Sequence, residues 1–75
     1  MRVQMTPIQT KIIRCLADFD MSVGKVAAHL HYHRNSIEYH IEAIKKSTGL
    51  HPKKFYDLCK LLELIKEREE SLNEH

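Results

Sequence analysis

Seventy-five residues, 43% apolar and 29% charged, with two glycines and two prolines, describe one small packed domain rather than a disordered chain. A chain this short buries only about 60% of its unfolded surface, so its core is marginal and self-association would add stability. Its apolar runs are a few residues long, far below the roughly 18 of a spanning helix, and no signal-peptide stretch opens the chain. A cytoplasmic protein with no membrane partner is therefore expected.

The net charge of +2 conceals a gradient. Residues 22–54 carry six cations against Glu38 and Glu42, a net +4, whereas residues 55–75 carry three cations against six carboxylates, a net −3. A basic middle suits an acidic partner, and an acidic tail does not. Cys15 and Cys59 both fall among apolar residues of helical pattern, which predicts two buried free thiols rather than a disulfide.

The first helix is predicted over residues 7–19. Thr6 is a suitable N-cap, Pro7 fits the first helical position, and Gln9 can complete a capping box. Ile8, Ile12, Cys15, Leu16 and Phe19 then form an apolar stripe, closed by Asp18 and Asp20. Ser22 caps a short second helix over 23–30, striped by Val23, Val26, Ala27 and Leu30. His31-Tyr32-His33 breaks the phase. Periodicity resumes at Ile37, Ile41 and Ile44 in a third helix over 34–47, ended by Gly49 as a left-handed C-cap. A fourth helix over 52–70 opens at His51-Pro52 and carries Phe55, Leu58, Leu61, Leu62 and Ile65, with the last five residues fraying. The β-rich stretch at residues 1–5 is too short to pair. The fold class is all-α, a single domain of four helices, with a three-helix core and a longer C-terminal helix.

The second and third helices are joined by about three residues, with Val26, Leu30, Tyr32, Ile37 and Ile41 in the apolar positions of a helix-turn-helix. Ala27 is small enough to let the two helices cross closely. His31 stands where glycine is common, and histidine is among the few residues that tolerate positive φ. With the isoleucines inward, the third helix presents a polar face of a width that fits the major groove of double-stranded DNA. Arg34, Asn35 and Glu38 are the expected base readers, through guanine, adenine and cytosine edges respectively. Ser22, Lys25, His33, Ser36, Tyr39, Lys45 and Lys46 are the expected phosphate contacts, which Lys53 and Lys54 can extend.

The segment Val26-Ala27-Ala28-His29-Leu30-His31-Tyr32-His33-Arg34-Asn35-Ser36-Ile37, followed by Tyr39, Ile41, Ile44 and Thr48-Gly49-Leu50, resembles the C-terminal DNA-binding domain of PucR-type regulators. The resemblance covers about residues 8–65. Tyr39-His40 and the run from Lys46 to Gly49 are also similar to LuxR-type helix-turn-helix domains. It implies a bacterial transcriptional regulator, with Arg34, Asn35 and Ser36 at the DNA-facing start of the recognition helix. Two features depart from the PucR-type pattern. Glu38 and His40 occupy positions that are usually basic, and the sensory region that usually precedes such a domain is not in this sequence, so no small-molecule effector is expected.

His29, His31 and His33 cluster at the turn, but metal ligands must converge on one point, and the break at Tyr32 separates them. No metal, cofactor or catalytic constellation is expected. The other class consistent with Glu38, Glu42 and the acidic tail is a protein-interaction module on the same fold. The apolar arc of the fourth helix is wider than one small bundle needs, which predicts a homodimer through Leu61 and Leu64.

Overall fold

The computed structural model describes residues 5–73. Four helices follow in chain order, α1 (Pro7–Asp18), α2 (Val23–Leu30), α3 (Arg34–Thr48) and α4 (Phe55–Asn73), with no strand among the described residues. The all-α expectation holds. None of these helices is long and apolar enough to cross a membrane. The predicted β-rich stretch at the start lies outside the described residues, apart from Met5. The predicted fraying of the last five residues is not seen through Asn73, and residues 74 and 75 lie outside the described part.

The helix ends follow from local hydrogen bonding. Thr6 Oγ1 accepts from the Gln9 N–H and Gln9 Oε1 accepts from the Thr6 N–H, each at 3.2 Å, so Pro7 enters a closed capping box. The Ser22 hydroxyl accepts from the Lys25 N–H at 3.4 Å and starts α2. At its exit His31 adopts φ 60°, ψ 40°, and the Tyr32 N–H reaches back to the Ala27 carbonyl at 2.9 Å. Gly49, at φ 75°, ends α3. There the Thr48 hydroxyl donates to the Ile44 carbonyl at 2.7 Å and accepts from the Leu50 N–H at 3.0 Å, which gives the Thr-Gly-Leu sequence a physical reason. The turn after α1 was not anticipated in full. Asp20 and Met21 both take positive φ, and the Met21 N–H compensates by bonding the Leu16 carbonyl.

The core is built from one stripe per helix: Ile12, Ile13 and Leu16, then Val23, Val26 and Ala27, then Ile37, Ile41 and Ile44, and finally Leu58, Leu61 and Ile65. α1 is the hub, packing on each of the other three, while α2 packs on α3. Met5 closes one end, and Arg68 Nη1 donates to its carbonyl at 3.2 Å.

Five sequence expectations need correction. α4 starts at Phe55, three residues later than predicted, because Pro52 is fully buried in a turn instead of opening a helix. In that turn the His51 N–H donates to Asp57 Oδ2 at 3.0 Å, and the first helical bond runs from the Leu58 N–H to the Lys54 carbonyl. Phe55, expected in the apolar stripe of the fourth helix, is 62% exposed. The buried arc of α4 centres on Leu58, Leu61 and Ile65, so Leu61 is 0% exposed and belongs to this chain's own core, not to a dimer interface; Leu64 is half-buried. Cys59 is exposed, and only Cys15 is a buried thiol. Tyr32, expected to pack in the turn, is 46% exposed.

Two outcomes follow from this packing. Ala27→Leu adds methylenes to a buried position of α2, the helix that packs on α3, and is expected to cost about 1–3 kcal/mol, read by urea denaturation. Burial, reinforced by Asp18, pushes the Cys15 thiol above its ordinary value, although Lys11 opposes this. Cys59 should therefore react with a thiol reagent at neutral pH in the native protein, and Cys15 only on unfolding. Because the folded state holds the Cys15 proton more tightly, its contribution to stability is lost as pH rises above the ordinary thiol value. Equal labelling rates at the two thiols would contradict the placement.

Candidate nucleic-acid interface

α3 divides cleanly by helical phase. At about 100° per residue, Ile37, Ile41 and Ile44 define the inner side, and Asn35, Tyr39, Glu42 and Lys46 stand opposite them. All four of the latter are exposed, Tyr39 to 71%. Arg34, Glu38 and Lys45 run along one edge of this face. Ser36, Ala43 and Ser47 run along the other. Arg34 is the first residue of α3 and is exposed.

The remaining predicted contacts lie at helix starts. Ser22 and Lys25 stand at the beginning of α2, on a different element from the α3 face. The Ser22 oxygen accepts the Lys25 N–H, which leaves its own O–H available to donate. His33 is the N-cap of α3 and is exposed, and its side chain makes no capping hydrogen bond, unlike Thr6 in α1 and Ser22 in α2. The first N–H groups of α3 are thus without a side-chain acceptor.

Glu38 differs from the simple reading of its position. Lys53 Nζ lies 3.2 Å from Glu38 Oε1, with both side chains about two-fifths exposed. This pair ties the turn before α4 to the edge of α3 and sets a cation against the carboxylate that departs from the basic pattern. Sequence reasoning missed it because the partners are 15 residues apart and the turn geometry at Pro52 decides the contact. His40, the other departure, is half-buried with Nδ1 sealed from solvent and without a partner, its ring edge-on to Tyr39 at 5.5 Å. No group of three or more metal-ligating side chains converges among the described residues.

A short helix, a three-residue turn with one left-handed residue, and a longer helix with one buried and one polar face define a helix-turn-helix domain. Residues 9–63 match the family described as the PucR C-terminal helix-turn-helix domain, and the chain belongs to that family. No curated protein and no solved structure matches it. Family membership places the chain among DNA-binding regulators, a class that is typically not enzymatic.

The ion pair generates a measurable expectation. Lys53→Met should change stability by no more than about 1 kcal/mol, because an exposed pair gains little in water. Glu38→Gln should likewise leave the fold intact while strengthening DNA binding, since it removes a negative charge beside the polar face of α3. Weaker binding by Glu38→Gln at unchanged melting would instead make the carboxylate a base contact.

Proposed function

We propose that α3 enters the major groove of double-stranded DNA and reads sequence there, making this chain a cytoplasmic bacterial transcriptional regulator. The observation that carries the reading is the division of α3. The side opposite its isoleucines takes no part in the core, and its residue types match what base edges and phosphates accept.

Arg34 and Asn35 are the base readers. Both are exposed, Asn35 on the outermost line and Arg34 in the first turn of α3. Bidentate pairing of Arg with guanine and of Asn with adenine would fix the register. Glu38 serves cytosine only if DNA draws Lys53 away, so its share in specificity is the smallest of the three. Lys45 and Lys46, in the last turn of α3, and Lys25, Ser22, Ser36, Tyr39 and His33 hold the backbone. The uncapped start of α3 adds N–H groups and the positive end of the helix dipole to the same task.

Selection from random duplexes, followed by titration of the best site, tests the proposal. Affinity should be roughly micromolar or better at low salt and fall with a log–log slope of about −0.9 per phosphate contacted. Asn35→Ala should cost about 1–3 kcal/mol on the selected site and little on random DNA, whereas Lys46→Ala should weaken both alike. Salt-insensitive binding, or an Asn35→Ala loss equal on both DNAs, refutes groove reading. Absence of any DNA binding points to a protein-interaction module.

A further inference from the structure

We infer that Lys53 is a DNA-backbone contact held in reserve by Glu38, whose carboxylate stands in for a phosphate until a duplex displaces it. The inference rests on the reading of α3 as the groove helix. Lys53 Nζ lies 3.2 Å from Glu38 Oε1, and the two side chains are 40% and 44% exposed, so the pair is open to a competing anion. Glu38 stands on the Arg34 to Lys45 edge of α3, roughly 90° from the buried isoleucines. A helix with its side chains is about 10–12 Å across and the major groove about 12 Å wide, so either edge of a seated α3 runs beside a phosphate strand. Lys53 reaches that edge from the turn before α4.

Only a side chain has to move for the exchange. The turn itself is pinned: the Lys53 N–H donates to His51 Nδ1 at 3.2 Å, the Lys54 N–H donates to the His51 carbonyl at 3.0 Å, and Pro52 is buried. The Lys53 ammonium, by contrast, sits on a flexible four-carbon stem and carries three donors. An exposed pair gains little in water, whereas a duplex presents one phosphate charge per about 1.7 Å of its axis and releases condensed counterions on contact. The ammonium therefore leaves a single carboxylate for a strand of phosphates. Glu38 stays behind as an unneutralised charge beside the same strand. The pair thus lowers affinity in two ways, since DNA has to break it and the carboxylate then repels the backbone. Neither effect involves a base edge, so both act on every sequence alike.

Titration of the wild type, Lys53→Met, Glu38→Gln and the double variant on a random and a selected duplex, over a range of salt, tests the inference, with melting of each variant to verify the fold. Lys53→Met should weaken both duplexes alike, about three- to tenfold at low salt, and Glu38→Gln should strengthen both alike. With Glu38→Gln already in place, Lys53→Met should cost at least as large a factor as in the wild type and lower the log–log salt slope by about 0.9, because the ammonium is then free for phosphate. A lysine that only neutralises Glu38 behaves oppositely. Its loss would be silent beside Glu38→Gln, and that result overturns the inference, as does a Lys53→Met chain that binds random DNA with unchanged affinity. A silent Lys53→Met beside a site-selective Asn35→Ala loss would overturn it while leaving the groove reading intact. An Asn35→Ala loss equal on both duplexes, with the Lys53 slope change present, would refute base reading and keep Lys53 on the backbone. Absence of DNA binding at about 50 mM salt refutes both.

Discussion

Everything that α3 can present depends on how it is crossed by α2, and that crossing depends on one residue in an uncommon backbone state. His31 turns left-handed immediately after Leu30, and the Tyr32 N–H closes back on the Ala27 carbonyl. The chain therefore leaves α2 and enters α3 within three residues, at an angle that an extended linker would not fix. Ala27 and Val26, buried beside this turn, bring α2 against α3, and the three isoleucines of α3 then have only one side on which to bury. Left-handed backbone costs a non-glycine residue roughly 1–2 kcal/mol. The adjoining hydrogen bonds and apolar packing offset that cost.

Most of this was legible because it is local. The Thr6 to Gln9 box, the Ser22 cap, the tolerance of His31 for positive φ and the Gly49 stop each rest on residues within four positions of one another. The isoleucine phase of α3 gave the polar face directly. What was not legible depends on contacts between distant segments. The sequence places Phe55 in an apolar series, and only the seating of Pro52 in the core delays α4 and turns Phe55 outward. The same shift reassigns Leu61 to the interior, because a helix wheel gives relative angles but not which line faces the hub. Cys59 followed the same error, while Cys15, on the strongly striped α1, did not.

The Glu38 to Lys53 pair illustrates a middle case. The residue types were visible, and Glu38 stood out as a departure from a basic position. Its consequence was not visible, since the compensating cation arrives from a turn 15 residues later. Read without that turn, Glu38 weakens the electrostatic case for an acidic partner. Read with it, the local charge is balanced and the edge of α3 is tied to the start of α4. The net charge of a helix face is therefore set by the tertiary neighbours of the face as well as by its own residues.

The separation of labour within α3 bears on how such a domain can change. Asn35, Tyr39, Glu42 and Lys46 are exposed and lie outside the core, and substitutions at exposed positions of this kind usually move stability by no more than about 0.5 kcal/mol. Ile37, Ile41 and Ile44 are under the opposite constraint, with each lost methylene felt at once in a core this small. A lineage carrying this fold can thus retarget its outward residues one at a time without approaching the unfolding threshold. Glu38 is the exception on that surface. Replacing it also releases Lys53, so drift at this one edge position would alter two elements together.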